Sequence, residues 1–277
     1  MKFKVALVQF HSTFWNPKKN IERMEMFIDK AKKQHANVII FPEDCVTGPM
    51  LKNQEMLDRT NQFKTAFSDL ARKYQIDLVP GSWMEEDADQ KGWFNTTYYF
   101  DAQGKVLNQY RKVNLWISER TYLTPGNSVT VFDTKYGKAG LIICWDLMSP
   151  EIFRQLLSQG VQIVYCPSDW SMGLVENTYN KNAEIDHVNS LCTARAVENN
   201  IVLVYCNLAG EHSYDGKSDP LIGQTQVTMP FYGKLAHLQN NQEKLLIQEV
   251  DLDLLPVAEK VYHTRGDYLK RSTLQKS

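Results

Sequence analysis

Cys144 is the residue of this 277-residue chain most open to a covalent reading. An apolar run, Ala139 to Ile143, reads as a buried strand that stops at it. Ser149-Pro150-Glu151 then reads as a helix start, with Ser149 as N-cap and Pro150 at the first helical position. A cysteine between a strand end and a helix start sits where α/β proteins place chemistry, and a nearby helix N-terminus favours a thiolate. Taken alone, the plainer reading of a small buried apolar residue is the better one. Two other strands change that balance. Val38 to Phe41 runs through Pro42 into Glu43, and Val106 to Tyr110 runs through Arg111 into Lys112. A Glu, a Lys and a Cys, each at the end of its own strand, can meet at one sheet edge.

Cleaving an amide C–N bond through an acyl-enzyme needs a nucleophile, a base, an acid for the leaving group and donors for the oxyanion. Cys144 suits the first role. A free thiol is only a few per cent ionised at neutral pH, so something must take its proton. A carboxylate in a dry pocket has a raised pKa and suits that task, which fits Glu43, and it can later protonate the leaving amine. Lys112 supplies a fixed positive charge which, with the backbone N–H of Trp145, suits the oxyanion. Each residue also has a structural reading: Glu43 as a loop carboxylate, Lys112 as an exposed basic strand end, and Glu119 beside Arg120 as a surface ion pair worth little.

The flanks of these residues resemble those of the nitrilase superfamily of carbon–nitrogen hydrolases, in its amidase-like branch. Phe41-Pro42-Glu43, Arg111-Lys112-Val113-Asn114-Leu115 and Cys144-Trp145-Asp146 stand in the family's order. Glu119 to Gly126 is similar to its Glu-x-x-Tyr-x-x-Pro-Gly element, and Ala194 to Asn199 to its Arg-Ala-x-Glu-Asn helix end. The resemblance implies catalytic roles for Glu43, Lys112 and Cys144, and a second glutamate, Glu119, that orients Lys112 and shares proton transfer. It places Asp169, Trp170 and His187 where the family shapes its substrate pocket; Trp116, Tyr122, Trp145 and Met148 either line that pocket or only pack. A core or interface role suits Trp170 and His187 equally well. It also implies an αββα sandwich of two mixed sheets with helices outside, a homodimer or higher homo-oligomer, and no metal or cofactor.

Departures bear on the substrate. Many amidases of the family read Cys-Tyr-Asp-x-Arg-Phe-Pro-Glu, whereas this chain reads Cys144-Trp145-Asp146-Leu147-Met148-Ser149-Pro150-Glu151. Met148 holds the arginine position, which weakens any expectation of a substrate carboxylate bound there. Trp145 is similar to true nitrilases and carbamoyl-polyamine amidases, while Asp146 follows the amidase pattern. The expected activity is hydrolysis of a small linear amide or N-carbamoyl compound with release of ammonia. The alternatives are a nitrilase, or a catalytically silent protein on the same fold.

Composition sets the frame. Charge is balanced at 31 basic against 32 acidic residues, and no Lys/Arg run suggests a nucleic-acid face. Apolar runs are strand-length, so no membrane span is expected. The N-terminus enters a strand without a signal-peptide core, and the 5 cysteines lack scaffold or metal spacing, so reduced thiols and a cytoplasmic location are expected. The Asn95-Thr96-Thr97 sequon is discounted for the same reason.

Periodicity predicts strands at Lys4–Gln9, Asn37–Phe41, Asp77–Trp83, Trp93–Asp101, Lys105–Tyr110, Ser128–Asp133, Ala139–Ile143, Gln162–Cys166 and Ile201–Asn207. Gln224–Met229, Lys234–Leu238 and Leu245–Val250 form a closing β run. Helices are predicted over Asn20–Lys33, around Phe63 to Tyr74, over Ser149–Ser158 and from about Ile185 to Asn200. Without a Pro/Gly/Ser-rich linker the chain reads as one domain over 1–277. Its last part, 253–277, reads as a polar tail with a short helix at the surface or a subunit interface.

Overall fold

The computed structural model describes residues 1–50, 53–87, 89, 92–173, 180, 182–214 and 216–274. The chain runs through β1 (Lys2–Gln9), α1 (Pro17–Lys33), β2 (Val38–Ile40), α2 (Gln62–Tyr74), β3 (Asp77–Val79), β4 (Ser82–Asp87), β5 (Gly92–Phe100), β6 (Val106–Arg111), β7 (Val131–Thr134) and β8 (Gly137–Leu141). It continues through α3 (Pro150–Ser158), β9 (Ile163–Ser168), α4 (Ala183–Asn199), β10 (Val202–Asn207), β11 (Glu211–Tyr214), β12 (Lys217–Pro220), β13 (Gln226–Met229), β14 (Gly233–His237), β15 (Lys244–Asp251), α5 (Leu254–Tyr262) and α6 (Thr264–Leu274).

One sheet has the order β15-β1-β2-β3-β5-β4, with β6 also paired to β5; the other has the order β14-β13-β10-β9-β8-β7. In each, three adjacent strands run parallel: β1, β2 and β3 in the first, and β8, β9 and β10 in the second. Parallel strands bring their carboxyl ends to one edge, and Glu43, Cys144 and Asp169 follow β2, β8 and β9 at that edge.

Successive strand residues point to opposite faces, and β1 shows the consequence. Val5 and Leu7 pack with Leu141, Ile163 and Tyr165 of the second sheet, while Ala6 and Val8 pack with Met24 and Ile28 of α1 and Phe67 of α2. Each such aliphatic side chain contributes about 1.5–3 kcal/mol by leaving water. Ile152, Phe153 and Leu156 of α3, with Val188, Cys192 and Ala196 of α4, pack against the second sheet, completing the expected αββα layers.

Where sequence and structure differ, the cause is local. α1 starts at Pro17, three residues before Asn20, because Asn16 caps it by accepting from the Lys19 N–H at 3.1 Å. The strand expected over Asp77–Trp83 breaks at Pro80-Gly81 into β3 and β4. Gly81 has φ +83°, and a Cβ there would lie 1.9 Å from the Pro42 carbonyl oxygen. Only glycine lets β4 press against the segment that carries Glu43. The polar hairpin β11–β12 carries no apolar alternation and was not expected. The tail holds two helices rather than one; Leu255 and Ala258 of α5 are buried, and α6 packs on α4.

Candidate active site

Lys112 directly follows β6, and its backbone is fixed on both sides. Its N–H donates to the Asn95 carbonyl at 2.9 Å, and its carbonyl accepts from Gly126 at 2.8 Å. Its Nζ donates to Glu43 Oε1 at 2.8 Å and to Glu119 Oε2 at 2.7 Å. Asn95 Nδ2 bridges the same two carboxylates, at 2.8 Å to Glu43 Oε1 and 3.0 Å to Glu119 Oε1. The Asp169 N–H reaches Glu43 Oε2 at 2.9 Å, and the Trp116 N–H reaches Glu119 Oε2 at 2.6 Å. Glu43 and Lys112 are each 2% exposed, so this is a buried charge network and not a surface ion pair. Removing one member of such a network strands an uncompensated charge.

Cys144 joins this group from the second sheet. Its sulfur lies within electrostatic reach of Glu43 and Lys112 and faces the Asp169 backbone N–H. The residue lies between a strand end and the start of α3, as the sequence suggested, but not directly after the strand. β8 ends at Leu141, and Cys144 opens a separate 3₁₀ turn, Cys144–Met148, in the left-handed region at φ +44°. A non-glycine residue held there is strained, a condition common at functional turns. Ser149 does precede α3, but its hydroxyl donates to Glu151 Oε2 at 2.8 Å rather than capping a backbone N–H.

The electrostatics follow from burial. Burial, with the adjacent Glu43 carboxylate, pushes the Cys144 thiol well above its ordinary range, against the pull of Lys112. The pull toward a thiolate from the nearby helix N-terminus does not prevail here, and the sulfur needs a base, as the sequence reading required. Burial also raises Glu43, helped by Glu119 and Asp169 and opposed by Lys112. Burial works against the Lys112 charge, but Glu43 and Glu119 outweigh it and hold the ammonium protonated.

Asp146 is a structural partner that sequence reasoning treated only as part of a pattern. It is fully buried and accepts from the Ile143 N–H at 3.0 Å, the Tyr110 hydroxyl at 2.7 Å and the Asn114 N–H at 2.7 Å. It buckles the loop after Lys112 to the turn that carries Cys144. Burial pushes its carboxyl up to about 6. Asn95 was missed for a different reason: it lies inside a strand, and its partners are 52 and 24 residues away.

The remaining expected residues divide. Trp116, Trp145 and Trp170 form a continuous aromatic wall, with ring centroids 4.3 and 5.2 Å apart. Trp170 Nε1 donates to Glu184 Oε2 at 2.8 Å, which fixes its plane. Trp116 and Met148 are exposed, at 41% and 43%. Burial raises the Tyr122 phenol, with Asp44 and Glu119 close by. The Asp169 side chain lies 2.6 Å from His212 Nε2 on the unexpected hairpin; burial lowers that imidazole's pKa, but the Asp169 carboxylate more than offsets it. His187 stands apart from this cluster: its side chain is 62% exposed, 3.7 Å from Glu184 Oε1. Among the described residues no group of three or more His, Cys, Asp or Glu side chains is arranged to hold a metal ion, and no helix is long and apolar enough to cross a membrane.

The sequence profile of the carbon–nitrogen hydrolase family matches residues 4–258. The chain is 28% identical to a 2-oxoglutaramate amidase of Bacillus subtilis over 257 residues, covering 91% of this chain and 92% of that protein. It is 27% identical to the omega-amidase NIT3 of Saccharomyces cerevisiae over 274 residues, covering 92% and 89%. The crystal structure of Saccharomyces cerevisiae Nit3, a member of branch 10 of the nitrilase superfamily, superposes with a TM-score of 0.81, covering 94% of each chain at 27% identity. An amidase from Nesterenkonia sp. superposes with a TM-score of 0.77 at 25% identity, covering 92% of each chain.

Proposed function

We propose that this chain, which belongs to the carbon–nitrogen hydrolase family, hydrolyses the C–N bond of a small linear amide or N-carbamoyl compound through a cysteine acyl-enzyme. The observation that carries the reading is the Lys112 ammonium, held between Glu43 and Glu119 at 2.8 and 2.7 Å, with Cys144 within its electrostatic reach. Glu43 takes the Cys144 proton as the sulfur attacks the amide carbon. The carbonyl electrons move onto oxygen, where Lys112 and the Trp145 N–H hold the negative charge; one such donor contributes ~2.7–4 kcal/mol to lowering the barrier. The protonated Glu43 then delivers its proton to nitrogen, the C–N bond breaks and ammonia leaves. A water gives a proton to Glu43 and attacks the thioester; the C–S bond breaks, the acid leaves and the sulfur recovers its proton. Glu119 positions Lys112 throughout.

The relatives' names favour amides over nitriles, since they include a 2-oxoglutaramate amidase and an omega-amidase. The test is an acid-quenched reaction with a short aliphatic amide, read by intact mass and by ammonia release. An acyl adduct that maps to Cys144 is the expected result; ammonia release with no adduct in a Cys144→Ser comparison, and undiminished rate, would overturn it.

We propose in addition that the single domain assembles as a homodimer or higher homo-oligomer. Val257, Val261 and Tyr262 of α5 are exposed, as is Phe231 at the turn between β13 and β14, and the Phe231 and Tyr262 rings lie 5.3 Å apart. An apolar patch of this kind supports an interface. Light scattering that finds only the 32.0 kDa monomer at micromolar concentration would count against it.

A further inference from the structure

His212 reaches the active site from the polar hairpin β11–β12, and no step of the reaction above uses it. Its Nε2 lies 2.6 Å from Asp169 Oδ1, and both side chains are mostly buried. Asp169 directly follows β9 and offers two groups to two partners. Its carboxyl meets His212, and its backbone N–H donates to Glu43 Oε2 at 2.9 Å. The other Glu43 oxygen, Oε1, already accepts from Lys112 Nζ and Asn95 Nδ2. Oε2, not bound to the ammonium, is therefore the better acceptor for the Cys144 proton, and the Asp169 N–H aims it.

The hairpin is tied to the segment after β9. Asp219, paired in register with His212, accepts from the Ser171 hydroxyl at 2.7 Å and the Gly173 N–H at 2.9 Å. The Met172 N–H donates to the Pro220 carbonyl at 2.8 Å. The Phe14 ring stands against the imidazole, with centroids 5.1 Å apart. Charge acts alongside placement. Glu43 faces Lys112, Glu119, Asp169, Asp44 and Cys144, while His212 faces Asp169, Asp219 and Glu43. Asp169 carries the same charge as Glu43, and a like charge makes a carboxyl hold its proton. Burial works against an imidazolium, but the three acids around His212 outweigh it. A charged His212 cancels Asp169 where Glu43 would otherwise feel it.

We propose that His212 is a positioning residue for the hydrolysis and acts through Asp169. It holds the residue whose N–H aims the Glu43 base, and it neutralises the charge beside that base. The proposal rests on the amide-hydrolase reading and adds to it a residue from outside the two large sheets. His212→Gln keeps an N–H donor but removes the charge. A bare Asp169 carboxylate then disfavours ionised Glu43, so the base forms only at higher pH. Asp169→Asn removes that carboxylate, so it cannot raise the pH at which the base forms. In the double variant both charges are gone, and their effects on Glu43 cancel.

The experiment is the pH profile of kcat/KM for a short aliphatic amide, in wild type, the two single variants and the double. The acid limb reports ionisation of the base in the free enzyme. His212→Gln is expected to move its midpoint up by about one pH unit. Asp169→Asn should leave it at or below the wild-type position, and the double variant should return it to within about half a unit. On the limb itself His212→Gln should lose about tenfold in kcat/KM, and above it less than about threefold. A merely structural contact would lower kcat/KM by one factor at every pH. That result, a limb unmoved in His212→Gln, or a shift that the double variant keeps would each overturn the proposal. A second measurement needs no His212 variant and no turnover. Coupling between two titrating groups is reciprocal, so the His212 imidazole should titrate about one pH unit lower in Glu43→Gln than in wild type. Its NMR resonance is identified by its proximity to the Phe14 ring. An unmoved His212 midpoint beside normal hydrolysis overturns the role of His212 alone. A lowered midpoint with no amide hydrolysed upholds the coupling and overturns the hydrolase reading.

Discussion

The parallel strands β2 and β3 carry a buried carboxyl at each end. At their start lies Asp77, paired in register with Val38, and beyond their finish lie Glu43 and Asp44. Burial raises the pKa of all three carboxyls. A cavity of about 300 Å³ lies at the Asp77 end, lined by Lys32, Asp101, Lys135 and Tyr136. Yet both Asp77 oxygens are satisfied, by the Tyr99 hydroxyl at 2.8 Å and the Ala102 N–H at 2.9 Å. The Glu43 end differs in three ways. Its acids face each other and Lys112, its turns at Asp44 and Cys144 lie in left-handed backbone, and one carboxyl oxygen has no partner. Burial, a raised pKa and a cavity do not by themselves distinguish a reactive site from a structural one; coupled charges, strain and unmet bonds do.

The largest test of that contrast removes the coupled groups. Cys144→Ala is expected to abolish turnover, and Glu43→Gln and Lys112→Ala to lower kcat by about 10²–10⁴-fold. The folded state should survive all three. Lys112→Ala leaves Glu43 and Glu119 facing each other and should cost about 3–5 kcal/mol of stability, whereas the nearly isosteric Glu43→Gln should cost less. Ammonia release and thermal unfolding, measured on the same preparations, separate the two effects. A variant that keeps near wild-type kcat loses its place in the mechanism.

A smaller effect concerns the buckle at Asp146. The unfolded chain releases this proton near pH ~3.9, and the folded protein holds it to about 6 because the carboxyl is buried. Between those values the folded state binds the extra proton. Asp146 therefore favours folding at the acid end of the window, and that contribution is lost as pH rises through about 6. The difference amounts to about 3 kcal/mol. Urea unfolding at pH 4 and pH 7 should show wild type losing about 2 kcal/mol more stability over the interval than Asp146→Asn. Parallel pH dependences in the two proteins would remove Asp146 as the source.

How far this site was legible in the sequence depends on the reach of each signal. Glu43 and Cys144 lie a few residues past apolar strands, whose ends are marked locally by where the apolar run stops, and Lys112 directly follows the mixed strand β6. Individual strands such as β9 and β10 were legible because they are apolar runs, but periodicity did not separate two packed sheets from other α/β layouts; that arrangement came from the family resemblance. Asn95 left no mark, since a polar residue within an aromatic strand acquires meaning only from the loops that fold over it. His212 sits on a polar hairpin whose pairing, Glu211 with Pro220 through Tyr214 with Lys217, has no apolar alternation behind it. His187 lies one helical turn from Glu184, and its side chain is 62% exposed, so sequence position alone did not tell whether it faces the site. The break at Gly81 and the left-handed turn at Cys144 were hidden because close backbone approach is a tertiary fact.

The smallest expected effect is at the other end of the strands, and it is the control the comparison needs. Asp77→Asn keeps the shape of the side chain and one acceptor oxygen. That oxygen can still receive the Tyr99 hydroxyl, but the new amide group then meets the Ala102 N–H, donor against donor. One backbone hydrogen bond is lost, at a cost of about 1–3 kcal/mol for a buried group. Burial no longer acts on a titrating carboxyl, which offsets part of that loss above the normal carboxylate range. No atom of this cluster lies among the partners of Glu43, Lys112 or Cys144, so kcat and KM should stay within about twofold of wild type. Thermal unfolding and steady-state kinetics on Asp77→Asn check both halves. A kcat that falls as far as it does in Glu43→Gln, at a melting temperature only slightly lowered, would mean that the two ends of the sheet act together and that the contrast drawn between them is wrong.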